Sequence, residues 1–296
     1  MNPESNNERF KEKEIPFLHH IRDKNTLDIS PIETIKKIIK PVDIEDIEKY
    51  KGKIKIIIFT AVEIEREAAL EHMNPITKNN EILKVHIKFF TYYLGKIGKY
   101  DIILTQCNKG SIQRDGIILA SQFAYNFWHP RIAILSGIAY GLKKGEQKKG
   151  DVLISQQIIP YDVQRFGKKI IFRGERLSSS LTLKDRFRNI EGWHYSLPNG
   201  KLAKLHFGNL ISSERLIDNK KLVKRIKNEF PDAIGGEMEG AGFSASSEVS
   251  DIQWILIKGI CDWAYKKKND YQKIAANASI SIIEHIFNNE YALKGF

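Results

Sequence analysis

Cysteine is scarce: Cys107 and Cys261 are the whole supply in 296 residues, and neither belongs to a CxxC pair. That count argues against a disulfide framework and against a thiolate zinc site. The eight histidines show no ligand spacing, so neither a metal nor another cofactor is expected. No apolar run approaches the roughly 18 residues that a membrane-spanning helix needs. The start, MNPESNNERFKEKEIPF, is polar and charged rather than a secretory signal. A cytoplasmic protein without a membrane segment is the expectation. Three familiar motifs are also missing. No GxxxxGK[ST] loop cradles a phosphate, no GxGxxG follows the first strand, and no GxSxG elbow carries a nucleophilic serine.

What is present is ordinary globular material, 42% hydrophobic and 28% charged, with an uneven net charge of +11. Residues 1–50 hold 9 basic and 11 acidic side chains, a net of −2, which leaves +13 on the remainder. Residues 143–206 hold 14 basic and 6 acidic side chains. Such a balance favours an anionic partner or a lysine-rich solvated surface. Nucleic acid is the less favoured partner, because no aromatic-basic motif accompanies the charge.

The pattern changes at Lys53. Residues 1–50 alternate in charge, carry Pro16, Pro31 and Pro41, and read as an N-terminal appendage. Residues 51–296 alternate strands with helices. KIKIIIFTA is a buried strand and VEIEREAALEHM a helix. VHIKFFTYYLG and DIILTQC are two further strands, and SIQRDGIILASQFAYNFW is a long helix. RIAILSGIAYG, DVLISQQII, LHFGNLISS, AIGGEMEG and WILIKGICD read as later strands. SERLIDNKKLVKRIKNEF, AGFSASSEV and YQKIAANASISIIEHIFNN read as the helices between and after them. The prediction is an α/β domain, a mostly parallel or mixed central sheet flanked by helices.

In such sheets, ligands bind beyond the carboxyl ends of the strands. Three of those ends carry acids: Glu63 and Glu65, Glu237 and Glu239, and Asp262. A single acid there usually serves the next helix N-terminus. Three beside glycines point to a site, either for a divalent cation or for acid-base and hydrogen-bond work.

The ordered set TAVEIERE, ILSGIAYGL with KKGDVLIS, GGEMEGAG and KGICDWA resembles the nucleoside phosphorylase and nucleosidase superfamily. The style is closest to methylthioadenosine/S-adenosylhomocysteine nucleosidases, and the likeness runs over about residues 53–288. It implies that Asp262 is the acid that protonates the purine. It implies that Glu239 hydrogen-bonds the ribose, that Met238 packs on the sugar, and that Glu65 activates water. Ile138, Leu216 and Ile217 would line the base pocket, with Leu216 where the family often has an aromatic. Glu237 is assigned to helix-terminus electrostatics or a surface pair. The chemistry fits those types: N-glycosidic cleavage builds positive charge on the ribose, which a carboxylate stabilises, and the departing base needs a proton.

Carboxylates Glu63 and Glu65 stand where the phosphorylases hold phosphate, so hydrolysis is favoured over phosphorolysis. The basic stretch YDVQRFGKKIIFRGERLSSS, with GGEMEGAG and KGICDWA, resembles nucleosidase domains of immune-type proteins, some of which cleave adenine from ATP. That likeness implies an adenine nucleotide substrate, with Lys168, Lys169, Arg173, Arg176 and Arg114 as candidate phosphate ligands. It also implies a defence role, a homo-oligomer, and a sensor partner reached through residues 1–50. The alternatives are a methylthioadenosine/S-adenosylhomocysteine nucleosidase, a nucleoside phosphorylase, and a nucleotide sensor without turnover.

Overall fold

A computed structural model describes residues 37–265 and 269–296. Of residues 1–50, to which the sensor-binding surface is assigned, 1–36 lie outside the described residues. In chain order the strands are β1 (Ile38–Pro41), β2 (Ile56–Thr60), β3 (Glu81–Ile87), β4 (Phe90–Ile97), β5 (Tyr100–Gln106), β6 (Ile132–Gly141) and β7 (Val152–Pro160). They continue with β8 (Gln164–Arg165), β9 (Ile171–Phe172), β10 (Leu177–Ser178), β11 (Leu205–Ser212), β12 (Ala233–Glu237) and β13 (Gln253–Asp262). The α-helices are α1 (Ile44–Ile47), α2 (Glu63–His72), α3 (Ile117–Trp128), α4 (Leu181–Arg188), α5 (Lys220–Glu229), α6 (Gly240–Val249) and α7 (Gln272–Phe287).

An 11-stranded mixed sheet runs β1-β3-β4-β5-β2-β6-β12-β11-β7-β10, with β13 pairing both β6 and β7. Strands β6, β12, β11, β7 and β13 therefore close into a circuit, with the short β10 left as the edge strand beside β7. Strand β2 is IIIFT with all five residues buried, and β13 is buried from Trp254 to Asp262. Continuous apolar runs of this kind are what a strand covered on both faces requires. Helix α7 lies against β13 so closely that a Cβ on Gly259 would overlap the Ala275 carbonyl. Among the described residues, no helix is long and apolar enough to cross a membrane.

The structure departs from the sequence reading at four places. Residues 37–50 continue the compact unit, which runs from Lys37 to Phe296: β1 pairs in parallel with β3, and Ile47 is fully buried. VHIKFFTYYLG is split between β3 and β4, which pair as a hairpin turning at left-handed Lys88. SIQRDG is a loop, because α3 begins only at Ile117. Residues 213–219 form a strap before α5 rather than its first turns; Asn219 caps α5 by accepting from the N–H groups of Lys221 and Leu222. Helix α4 places Leu183 and Phe187, at helical spacing, on its buried face.

Candidate active site

The carboxyl ends of β2, β12 and β13 deliver the acids. Strand β2 ends at Thr60, and the chain turns at once into α2, whose first turn carries Glu65. The Glu65 carboxylate folds back over that turn. One oxygen accepts from the N–H of Ala61 (2.7 Å) and Val62 (3.1 Å), and the other from the N–H of Ile138 on β6 (2.8 Å). A Cβ on Gly137 would overlap that second oxygen. Gly137→Ala is thus expected to displace Glu65 and to lower turnover with little change in ligand binding. Steady-state kinetics beside equilibrium binding checks this; unchanged kcat would contradict it.

Glu237, the last residue of β12, and Glu239, just before α6, separate in role. Glu237 is buried and accepts from the N–H of Glu239 (3.0 Å) and of Gly240 (2.8 and 3.0 Å), so it sits on the positive end of α6. Glu239 turns the other way and accepts from the N–H of Gly110 (3.0 Å) in the loop before α3. That loop is also held by Glu214, whose two oxygens accept from the N–H of Ser111 (2.9 and 3.0 Å). Glu214 in turn donates its own N–H to Asp162 (2.7 Å), which also accepts from the Ser213 hydroxyl (2.9 Å). A chain of contacts therefore runs from Glu239 through the 110–111 loop and the 213–214 strap to Asp162, the residue that opens the basic hairpin.

Lys258 is the residue the sequence reading missed. It lies in the middle of WILIKGIC on β13, with no exposed surface. Its ammonium is 3.6 Å from Glu239 and 3.9 Å from Glu237, without a close hydrogen bond among the described residues. Burial alone would pull it toward neutrality, but Glu239, Glu65 and Glu237 together hold it above the usual lysine range. The available signal was a lysine inside an apolar strand, since lysine is almost never fully buried unless paired.

The carboxylates answer the same crowding. Burial pushes Glu65 above the usual carboxylate range; Lys258 opposes the shift and Glu239 adds to it. Burial raises Glu237 to about 7, with Lys258 opposing and Glu239 reinforcing. Between its ordinary 4.5 and about 7, Glu237 holds its proton in the fold but loses it in the unfolded chain. The folded state then binds more protons, so stability falls as pH rises through that window. Denaturant unfolding against pH is expected to show this negative slope and to show it flattened in Glu237→Gln. An unchanged slope in the variant would contradict it.

Asp262, at the end of β13, is buried and accepts from the Ala264 N–H (2.6 Å). It pairs across to Tyr140 on β6, whose buried hydroxyl has no hydrogen bond among the described residues. Met238 is half-buried between the two glutamates, and Ile138 is half-buried directly after Gly137. Leu216 is 66% exposed, whereas Ile217 is buried against Tyr140, Ile211 and Val223. Arg114, Lys168, Lys169 and Arg173 are exposed. Arg176 pairs with Asp232 (2.8 Å) and lies over Phe230, at the opposite end of β12 from Glu237. Among the described residues no group of acids, histidines or cysteines is arranged to hold a metal ion.

A sequence model of the Phosphorylase superfamily matches residues 55–287. The chain belongs to the phosphorylase superfamily. Within that superfamily it is similar to a death domain-containing ATP nucleosidase of Amphimedon queenslandica, 25% identical over 263 residues. That match covers 80% of this chain and 49% of the relative, so the chain spans about half the relative's length. It is also similar to a 5′-methylthioadenosine/S-adenosylhomocysteine nucleosidase of Staphylococcus haemolyticus, 26% identical over 220 residues, covering 71% of this chain and 90% of that one. A solved superfamily structure, the 5′-methylthioadenosine/S-adenosylhomocysteine nucleosidase of Colwellia psychrerythraea in complex with adenine, shares the fold with a TM-score of 0.67 at 20% identity. It covers 79% of this chain and 94% of that one. The fold and family expected from the sequence are therefore found.

Proposed function

We propose that this protein is an N-glycosyl hydrolase that releases the base from an adenine nucleotide such as ATP, with water as the nucleophile. The observation that carries the reading is the burial of Glu65 and Glu239 beside one cation, Lys258, at the strand ends where Asp262 also emerges. As the bond between base and C1′ stretches, positive charge grows on the ribose; Glu239 stabilises it. Asp262 supplies the proton that lets the base leave as a neutral molecule. Glu65, raised by burial, takes a proton from the water that adds to C1′. The products are free base and a ribosyl chain bearing a new C1′ hydroxyl. An anionic phosphate nucleophile would be repelled by the carboxylates that surround that position.

This reading predicts that, in heavy-oxygen water, the label appears on C1′ of the sugar product. Label absent from that position would refute hydrolysis.

Two observations favour a phosphorylated 5′ substituent over a thioether. The β8–β9 hairpin carries exposed Lys168, Lys169 and Arg173, and it is joined to the ribose carboxylate by the Asp162–Glu214–Ser111 contacts. The sponge relative's name is that of an ATP nucleosidase. Reversing all three charges to glutamate is expected to raise KM for ATP by about 10- to 100-fold while leaving adenosine kinetics unchanged. Equal effects on both substrates would remove the hairpin from phosphate recognition. Coupling to a sensor through residues 1–50, a role in defence and assembly with further copies belong to the same proposal. They are tested by whether base release in the full chain depends on a trigger and on protein concentration.

A further inference from the structure

A groove separate from the carboxylate cluster lies between α4 and strands β7, β10 and β11. Its volume is about 450 Å³, within the range of nucleotide-sized ligand sites. One wall is a single face of α4: Leu181, Lys184, Asp185 and Arg188, spaced at three, four and seven residues. The opposite wall is Gln156, Gln157, Ser178 and Asn209. Helix α4 is anchored through its other face, where Leu183 and Phe187 are buried in the main core.

The two walls do not satisfy each other. Asp185 is already engaged by Arg186 (2.9 Å) and by the Asn189 amide (2.9 Å). Asn209 donates to Asp232 (2.7 Å), and Gln157 donates to Ser178 (3.2 Å). Neither Lys184 nor Arg188 has an ion pair among the described residues, and the Gln156 amide has no hydrogen bond there. The Arg188 guanidinium lies over the Phe207 ring, 6.0 Å from its centroid, a contact that leaves its charge unneutralised. Two like charges four residues apart on one helix face repel each other, at a cost of a few tenths of a kcal/mol. An anion placed between them turns that repulsion into attraction, and the amides opposite supply donors and acceptors to its periphery.

We infer that this groove is a second binding site, for a phosphate-bearing small molecule held by Lys184 and Arg188 and read by Gln156. The walls are tied to the catalytic strand. Ser180 donates its N–H to Trp254 (2.9 Å) and its hydroxyl to Gln253 (2.6 Å), and Leu256 donates its N–H to Ser155 (2.9 Å), all at β13. The inference is independent of the reaction proposed above.

The test is lysine acetylation of the full chain, read residue by residue by mass spectrometry, with inorganic phosphate and with ribose 5-phosphate. Neither probe carries a base, so the result does not depend on turnover. Saturating probe is expected to slow acetylation of Lys184 about tenfold. Lys227 on α5 serves as the unaffected control, and the protection is lost in Arg188→Gln and Arg188→Glu. Protection by both probes assigns the site to the phosphate group itself, and protection by ribose 5-phosphate alone assigns it to a phosphorylated sugar. No protection of Lys184 by either at millimolar concentration, or protection unchanged in both variants, overturns the inference.

Discussion

Asp262→Asn is expected to lower base release by about 10²- to 10⁴-fold, with nucleotide binding changed by less than about threefold. The substitution keeps the shape and one acceptor oxygen at the end of β13, so the Ala264 N–H retains its partner. What it removes, on the proposed mechanism, is the proton that must reach the base as the glycosidic bond breaks. Without it the base would have to depart as an anion, a poorer leaving group. Base release measured by chromatography and binding measured by calorimetry on the same preparation separate the two quantities. Turnover within tenfold of the parent would mean that another group donates the proton. Lost binding would make Asp262 a structural or binding residue instead.

The second large effect concerns stability rather than rate. Lys258→Met is expected to destabilise the fold by about 3–5 kcal/mol near neutral pH, the typical result of removing one partner from a buried ion cluster. The methionine fills much of the same volume, so the loss is electrostatic. Glu65, Glu237 and Glu239 would share one buried site with no cation among them. The folded-state titration of Glu65 and Glu237 then moves further upward, so the deficit is present above the raised values and shrinks as pH falls and these carboxyls gain protons. Denaturant unfolding of both proteins at about pH 8 and about pH 5 measures this, with the smaller difference expected at the lower pH. A difference below about 1 kcal/mol at the higher pH would show that Lys258 does not hold the cluster together.

Much of the site was legible before the fold, and for a physical reason. A buried parallel strand must be a continuous apolar run, so IIIFT and WILIKGIC announce themselves, and the acids directly after such runs have only a few places to go. Glu65, Glu239 and Asp262 were nominated that way, and their roles belong to the proposed mechanism. Lys258 was not, because a lone lysine in an apolar strand looks like a break in the pattern until its three carboxylate partners, drawn from α2 and β12, are in place. Glu214 and the Gly110–Ser111 backbone were hidden for another reason. Their contributions are contacts between loops, and SIQRDG and SERLID carry enough helical spacing to be read as helix. The hairpin turn at Lys88 was missed because the turn, Lys88-Phe89, contains no glycine or asparagine. Arg176 could be counted with its basic neighbours only while Asp232 and Phe230 were unplaced.

The most direct test of the account is release of free adenine by the purified protein. ATP, AMP, adenosine, methylthioadenosine and S-adenosylhomocysteine are offered separately, each with and without inorganic phosphate. The account predicts adenine from ATP at a rate that does not need phosphate. Release only in the presence of inorganic phosphate, or only from the thionucleosides, would contradict it.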